Sequence, residues 1–154
     1  MTANPAILEA LQASLKIHWT AIVTYSRQAA QFKRWGYSKL AAAACADVTE
    51  EQEHAARLMA RLEFFDVAPD GAADVMTIPR HDLPAILSLN LDLESLAGNA
   101  ERAGILTARE TGDEITAHVF ADNLDGSEKA IAEIEAAQKI IAEVGLDNYL
   151  ANQV

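Results

Sequence analysis

The chain has 154 residues, a length typical of one domain, and a formal net charge of −11 at pH 7. This acidic balance argues against nucleic acid and an anionic membrane surface as partners, and it favours the attraction of cations. Hydrophobic residues make up 51% of the chain, while only 7 residues are glycine and 4 are proline, a composition that favours helices over sheets.

Cysteine usage and hydropathy bear on the cellular compartment. The single cysteine, Cys45, cannot form a disulfide within the chain, which points to a reducing environment. The sequence shows no signal peptide and no apolar run of about 18 residues. We therefore expect a single cytoplasmic domain, residues 1–154, without membrane contact.

The first predicted helix begins at Pro5 and ends at Gly36, as expected from the preference for proline at helix starts and glycine just past helix ends. Its apolar residues recur at alternating steps of three and four, the spacing of a helix-bundle seam. Two polar residues, His18 and Tyr25, lie within this seam, so we expect both to face the core of a bundle.

The second predicted helix runs from Ser38, its expected N-cap, to about Phe65. Within it, Glu51 and His54 form an E-x-x-H pair, and residues three apart share one face of a helix. A carboxylate and an imidazole held close together on a rigid support suit a metal ion. The motif alone is common on charged helix surfaces, but this pair lies on the apolar seam. Because a buried carboxylate is costly unless it is paired or bound to metal, the placement favours a functional site.

Residues 66–81 show no hydrophobic periodicity and are predicted to form a connection. Its length of about sixteen residues is unusual between adjacent antiparallel helices and predicts a crossover along the length of the bundle. Asp82 is then expected to cap a third helix, whose apolar face includes Glu94.

The fourth predicted helix begins near Gly112 and ends at Gly145. The pair Asp125 and Gly126 would ordinarily indicate a turn, but the three-four spacing continues through it, so we predict one weakened helix. Residues 146–154 are expected to add a short terminal helix. Together these elements predict an all-α protein, a four-helix bundle with a long crossover between its second and third helices.

The sequence resembles a bacterioferritin over nearly its whole length. The residues that carry the resemblance are Tyr25, residues 31–36 (Q-F-K-R-W-G), Glu51, His54, Arg57, residues 91–94 (L-x-L-E) and residues 145–150 (G-L-D-N-Y-L). The resemblance implies a ferritin-like fold and a shell of 24 subunits that stores an iron mineral. It further implies oxidation of Fe(II) at a di-iron site within each subunit, and haem bound between paired subunits.

The resemblance also identifies departures at the di-iron site. Three positions keep the ligands of the family: Glu51, His54 and Glu94. The glutamate that the family places on the first helix is His18 in this chain. The second Glu-x-x-His pair, on the fourth helix, is replaced by Ser127 and Ala130, which offer no strong metal ligand.

Charge limits what the altered site can hold. Glu51 and Glu94 balance one divalent ion, with His18 and His54 as nitrogen donors, and this set suits iron, zinc, manganese or cobalt. Three states of the site are open: one divalent metal, an ion-paired polar core without metal, and a surviving two-metal site. We expect the one-metal state, because a second ion lacks donors on the fourth helix.

Further positions lie around this set. Tyr25 and Asp47 are expected to support the ligands by hydrogen bonding. The position of the family's haem methionine holds Gln52, and because an amide is a poor ligand for haem iron, we expect no haem there. A polar cluster that shares one face near the start of the fourth helix is either an ion-entry cluster at a pore or a solvated surface: Glu114, His118 and Asp122.

Three functional interpretations follow from these features. The first is a subunit of a bacterioferritin-like iron-storage cage with a degenerate ferroxidase centre. The second is a residual ferroxidase enzyme, and the third is a non-enzymatic shell subunit that co-assembles with an intact bacterioferritin subunit. The lost ligands of the fourth helix argue against the enzyme, and the retained ligands of the second and third helices argue against a purely structural role.

Overall fold

The computed structural model describes residues 2–154 and places them in five helices. They are α1 (Pro5–Trp35), α2 (Ser38–Phe64), α3 (Leu83–Glu110), α4 (Glu114–Val144) and α5 (Leu146–Ala151). The first four are long and pack as a bundle, with α1 against α2 and α3 against α4. The prediction of an all-α four-helix bundle with a short C-terminal helix is confirmed. Within the described residues, the helices are all too short or too polar to cross a membrane.

The starts of α2 and α3 differ in how they are capped. Asp82 Oδ1 accepts a hydrogen bond from the Ala85 amide at 3.0 Å, so Asp82 caps α3 as predicted. The prediction that Ser38 caps α2 is wrong, because Ser38 is already the first helical residue. Tyr37 precedes it and makes no side-chain capping bond to the described chain. The chain reverses direction between α1 and α2 at Gly36, whose φ of 89° lies in the left-handed region that glycine adopts at little cost.

The connection between α2 and α3, residues 65–82, runs along the outside of α1. Its backbone bonds to successive α1 side chains: Gln12 (Asp70 N, 2.8 Å), Thr20 (Asp74 N, 2.9 Å) and Arg27 (Met76 O, 2.9 Å). Because these contacts follow α1 from its first half towards its C-terminal end, the connection spans much of the bundle's length. The predicted crossover is therefore confirmed, and α2 and α3 run in the same direction.

The interior alternates between apolar and polar layers. One apolar cluster contains Ile7, Leu11, Leu15, Ala55, Leu58, Leu62, Phe65 and Phe120. A second cluster, towards the opposite end, contains Phe32, Ala44, Ile78, Leu83 and Ile86. Between them lies a polar layer of buried side chains, which we call the central layer: His18, Glu51, His54, Glu94, Glu101, Asn123 and Ser127. The apolar clusters hold the four helices together, so the central layer is fixed in place by packing on both sides.

α5 is attached to the second apolar cluster. Its residues Leu146, Tyr149 and Leu150 pack against that cluster while remaining partly exposed. The chain that follows α5 is bonded to the start of α2, because the Lys39 amide donates to the Gln153 carbonyl at 2.9 Å. The end of the described chain therefore covers the end of the bundle.

Candidate metal centre

The central layer brings three predicted ligands together from two helices. His18 of α1 and Glu51 and His54 of α2 each offer one ligand atom, and these atoms lie within 4.8 Å of one another. His18 Nδ1 is 2.5 Å from Glu51 Oε2, and His54 Nδ1 is 3.5 Å from Glu51 Oε1. All three residues are buried. The E-x-x-H pair thus faces the core, and His18 completes a compact set of two imidazoles and one carboxylate.

Glu94, the fourth predicted ligand, lies beside this set and is held by Tyr25. The Tyr25 hydroxyl donates to Glu94 Oε1 at 2.8 Å, while Glu94 Oε2 is buried and has no hydrogen-bond partner among residues 2–154. Burial, followed by the nearby charge of Glu51, raises the pKa of Glu94 to about 8. In the absence of a cation, Glu94 is therefore mainly protonated at neutral pH.

Asp47 lies one turn before Glu51 and is only partly buried. Burial, together with the charges of Glu133 and Glu50, raises the pKa of Asp47 to about 7. With Glu94, Asp47 lines a cavity of about 200 Å³ between the helices. This cavity reaches Ala130, one of the two positions where the fourth helix lacks a ligand.

Glu101 belongs to the centre, although the sequence analysis missed it. Its Oε1 lies 2.7 Å from His18 Nε2, on the side of the ring opposite Glu51, and the residue is 0% exposed. The available signal was its position on α3, seven residues after Glu94 and therefore on the same helix face. The apolar face predicted for the third helix included Glu94 but not Glu101, so the second carboxylate of α3 was not predicted.

His18 lies between two carboxylates, and this arrangement determines its charge. Burial disfavours the imidazolium, but the hydrogen bonds to Glu101 and Glu51 outweigh burial and raise the pKa of His18 to about 9. Burial also opposes ionisation of Glu51, yet its contacts with His18 and His54 lower its pKa to about 2. Without a metal, the centre is an ion-paired layer in which a charged His18 lies between Glu51 and Glu101.

The α4 side of the centre is built by small residues. Ser127 is buried, and its Oγ has no hydrogen-bond partner within residues 2–154. Gly126 lies so close to His54 that a Cβ built there would overlap Nε2 and Cε1 of the imidazole. Next to it, the Asn123 amide donates to the His54 carbonyl at 3.2 Å and fixes α4 against α2. α4 is one continuous helix through Asp125, as predicted, and its glycine makes room for the His54 ring.

The remaining predicted positions lie away from the three-ligand set. Gln52 is exposed on α2. The cluster at the start of α4 is also exposed: Glu114, His118 and Asp122. His118 Nδ1 lies 3.0 Å from the Glu114 carbonyl oxygen, a bond within one helix turn. This exposure is compatible with a solvated face, and the roles in haem binding and ion entry stay predictions.

The buried groups of the centre fit a cation in their chemistry. His54 Nδ1, Glu94 Oε2 and Glu101 Oε2 are buried without a hydrogen-bond partner among the described residues. Such unpaired polar atoms cost free energy, and a positive ion beside them would offset part of that cost. Imidazole nitrogens with carboxylate oxygens form a donor set suited to zinc, iron, manganese or cobalt. Of these residues, His54 belongs to the three-ligand set, and Glu94 lies close enough to the set to interact with the charges of Glu51 and His18.

A four-helix bundle with a long crossover and a buried histidine–carboxylate centre defines a class of helical metal-binding proteins. Residues 8–143 match the Ferritin-like domain family, and the chain belongs to that family. A bacterial ferritin of Pseudomonas aeruginosa is 26% identical over 155 residues, covering 100% of both chains. A bacterioferritin of Mycobacterium avium is 25% identical over 154 residues, with 100% of this chain and 97% of the relative covered. A bacterioferritin of Brucella melitensis is 24% identical, covering 97% of this chain and 92% of the relative. The predicted resemblance to bacterioferritins is confirmed.

Proposed function

We propose that this chain is the subunit of a bacterioferritin-like iron-storage cage whose ferroxidase centre is degenerate and holds one divalent metal. The observation that carries the proposal is the convergence of His18, Glu51 and His54 in the buried central layer, with ligand atoms within 4.8 Å of one another. Membership of the ferritin-like family, together with relatives named bacterioferritin, supports iron as the cargo.

Ligand count and charge support a single metal. Ser127 and Ala130 of α4 offer no carboxylate and no imidazole to hold a second ion. The carboxylates of the layer are Glu51, Glu94 and Glu101, and even fully ionised they fall short of the charge of two divalent ions. A second ion would therefore leave positive charge uncompensated in a buried layer, which is costly.

Each side chain has a defined role in this proposal. Glu51 and the two imidazoles of His18 and His54 hold the ion, and Glu94, oriented by the Tyr25 hydroxyl, supplies a second carboxylate. Iron, zinc, manganese and cobalt all suit this donor set. Because a single Fe(II) ion passes only one electron to oxygen, oxidation in air is expected to be slow compared with that at a paired centre.

A second candidate function is a non-enzymatic shell subunit that co-assembles with an intact bacterioferritin. One observation favours it. Both ring nitrogens of His18 already contact carboxylates, at 2.5 Å and 2.7 Å, so the central layer is ion-paired without any metal. In that case the companion subunit would oxidise the iron, and this chain would contribute only to the shell.

Metal titration of the purified protein separates these functions. We expect one tightly bound Zn²⁺ or anaerobic Fe(II) per subunit, with binding abolished by His54→Ala. The matched control is His118→Ala, which removes an exposed imidazole from α4 and should leave binding unchanged. Two tight irons per subunit with rapid oxygen consumption would contradict a one-metal centre. Absence of tight binding would favour the shell subunit instead.

Assembly is tested separately. The full-length match to bacterioferritins supports a homo-oligomeric cage of 24 subunits. Light scattering of a dilute sample in physiological salt should show a single species with the mass of such a cage. Monomers or dimers alone would rule out a cage made from this chain by itself, and a cage that forms only after mixing with an intact bacterioferritin would identify a co-assembling subunit.

A further inference from the structure

His18 is bound at both ends of its ring by carboxylates from different helices. Nδ1 lies 2.5 Å from Glu51 Oε2 on α2, and Nε2 lies 2.7 Å from Glu101 Oε1 on α3. His18 and Glu101 are both 0% exposed, so water does not compete for either contact. The ring is therefore fixed in one orientation, with each nitrogen directed at a known partner.

The two carboxylates are not equivalent with respect to a metal. Glu51 also approaches His54 Nδ1, at 3.5 Å, and so belongs to the compact three-ligand set. Glu101 lies on the far side of the His18 ring. Because the lone-pair directions of the two ring nitrogens diverge, an ion that contacts His18 Nδ1 next to Glu51 is out of reach of Glu101.

We propose that Glu101 is a positioning residue: its carboxylate accepts the Nε2–H of His18 and thereby presents Nδ1 to the metal position beside Glu51. This inference rests on the proposed one-metal function. A histidine that binds metal through one nitrogen commonly donates the other N–H to a carboxylate, which fixes the tautomer and raises the basicity of the ligating nitrogen. Glu101 supplies that acceptor from α3, whereas His18 lies on α1 and its other carboxylate partner, Glu51, lies on α2.

The surroundings of Glu101 support this dedicated role. Its Oε1 bonds to His18, and its Oε2 is buried without a partner among residues 2–154. The described chain thus gives the Glu101 side chain one hydrogen-bond partner, His18. Burying a carboxylate for a single contact is costly for folding, so the placement of Glu101 against His18 favours a role in orienting that ligand over a role in stability.

The test compares Glu101→Gln with wild type in the assembled protein, using Zn²⁺ for affinity and Cu²⁺ for spectroscopy. Glutamine keeps the size of the side chain but removes its charge. We expect Zn²⁺ affinity, measured by calorimetry, to fall about 10–100-fold with an unchanged number of sites. The matched control is Glu110→Gln, which removes the same charge from an exposed position on α3 and should leave the affinity unchanged.

Pulsed electron paramagnetic resonance of the Cu²⁺ form gives a readout that a purely structural role would not change. It detects the remote nitrogen of each coordinated imidazole, and the quadrupole frequencies of that nitrogen respond to its hydrogen bond. In Glu101→Gln, the frequencies of one imidazole should shift while those of the other, His54, stay the same.

The outcomes separate the two proposals. A wild-type protein that binds no metal overturns the proposed one-metal function, whatever Glu101 does. A wild-type protein that binds metal, with a Glu101→Gln variant equal to it in affinity and spectrum, overturns the role of Glu101 alone. If the Glu101→Gln variant does not assemble, the spectrum of the Cu²⁺-loaded wild type tests the inference by itself. The inference is contradicted if neither coordinated imidazole has a remote nitrogen that is hydrogen-bonded to a carboxylate.

Discussion

The imidazole of His54 packs directly against the backbone of Gly126, so closely that a Cβ at position 126 would overlap Nε2 and Cε1 of the ring. The pair joins α2 to α4 at the level of the three-ligand set, where α4 has no ligand of its own. Gly126 lowers the helix preference of α4, but its lack of a Cβ leaves room for the His54 imidazole of α2. Replacing Gly126 with alanine, which adds one methyl group, tests this relationship.

Gly126→Ala is expected to destabilise the protein and weaken metal binding. Alanine favours a helix interior over glycine by about 1 kcal/mol, but overpacking in a close-packed interior typically costs about 1–3 kcal/mol. The overlap falls on the ring atoms of His54, so the ring must move away from its position beside Glu51. Thermal unfolding of the metal-free variant should show a lower midpoint, and Zn²⁺ calorimetry a weaker site.

Gly98→Ala is the matched control on α3. A Cβ there would meet Arg102 Nη1 at 3.4 Å and Leu124 Cδ1 at 3.6 Å, which is close to ordinary contact with flexible side chains. The helix preference for alanine should then dominate and raise the midpoint, with metal binding unchanged. Equal shifts in the two variants would mean that the His54 contact has no special consequence.

The sequence predicts those parts of the fold and site that depend on periodicity within a single helix. The three-four spacing placed His18, Glu51, His54 and Glu94 on inward faces, because an apolar stripe must face the core. Contacts between helices do not follow from the periodicity of a single helix. The bond from Glu101 to His18 and the fit of His54 against Gly126 depend on the register of one helix against another, which no local pattern reveals.

The capping of α2 shows a similar limit. Ser38 is a good N-cap by composition, but the turn at Gly36 sets where helical geometry resumes, and Ser38 falls inside the helix. Asp82 was predicted correctly because its side chain bonds only three residues ahead, to the Ala85 amide. A capping bond between residues three apart, such as that of Asp82, can be predicted from sequence. The exact start of α2 depends on the backbone conformation of the preceding turn, which the sequence does not give directly.

Restoring the ligands of α4 should create a second metal position. In the double variant Ser127→Glu and Ala130→His, we expect two metals per subunit and faster Fe(II) oxidation than in wild type. Ala130 borders the cavity of about 200 Å³, which gives an imidazole room, and Ser127 already lies in the buried central layer. Metal analysis and oxygen consumption measure the outcome. The single variant Ala130→His lacks the added carboxylate and should stay at one metal; a folded double variant that also binds one metal would contradict the prediction.

Haem binding should depend on position 52. Gln52 is exposed on α2 and offers an amide, which is a poor ligand for haem iron, so added haem should give no low-spin spectrum of two-methionine type. Gln52→Met should introduce that spectrum in the assembled protein, because the resemblance to bacterioferritins implies that a thioether at this position would face a paired subunit. Met59, one of the partly buried side chains of α2, provides the control through Met59→Leu, which should not change the haem spectrum. A two-methionine spectrum in wild type would show that another ligand is used.

The stability of the metal-free protein should fall as the pH rises, because two buried groups hold protons that the unfolded chain releases. Burial opposes the charge of His18, but hydrogen bonds to Glu101 and Glu51 raise its pKa from 6.5 to about 9. Its contribution to the free energy of unfolding is therefore fully present below pH 6.5 and is lost as the pH rises through about 9. Burial and the Glu51 charge raise the pKa of Glu94 from 4.5 to about 8, so ionising Glu94 costs stability across that range.

Two further groups with shifted pKa values, Asp47 and Glu51, do not reverse this direction. Asp47, with its pKa raised from 3.8 to about 7 by burial and the Glu133 charge, acts in the same sense as Glu94. Glu51, with its pKa lowered to about 2, is ionised in the folded and unfolded states above pH 6.5. The thermal midpoint of chelator-treated protein should therefore decrease steadily from pH 6.5 to about 9.

His18→Gln should remove the imidazole's share of this slope, whereas His118→Ala, at an exposed site, should leave the slope unchanged. Saturating Zn²⁺ should oppose the decrease, because metal binding displaces the proton of His18 and becomes more favourable as the pH rises. A midpoint that stays flat in the metal-free wild type would mean that His18 is not held as an imidazolium between Glu51 and Glu101. A zinc-loaded protein that loses stability with pH as steeply as the metal-free form would show that the ion does not bind at His18.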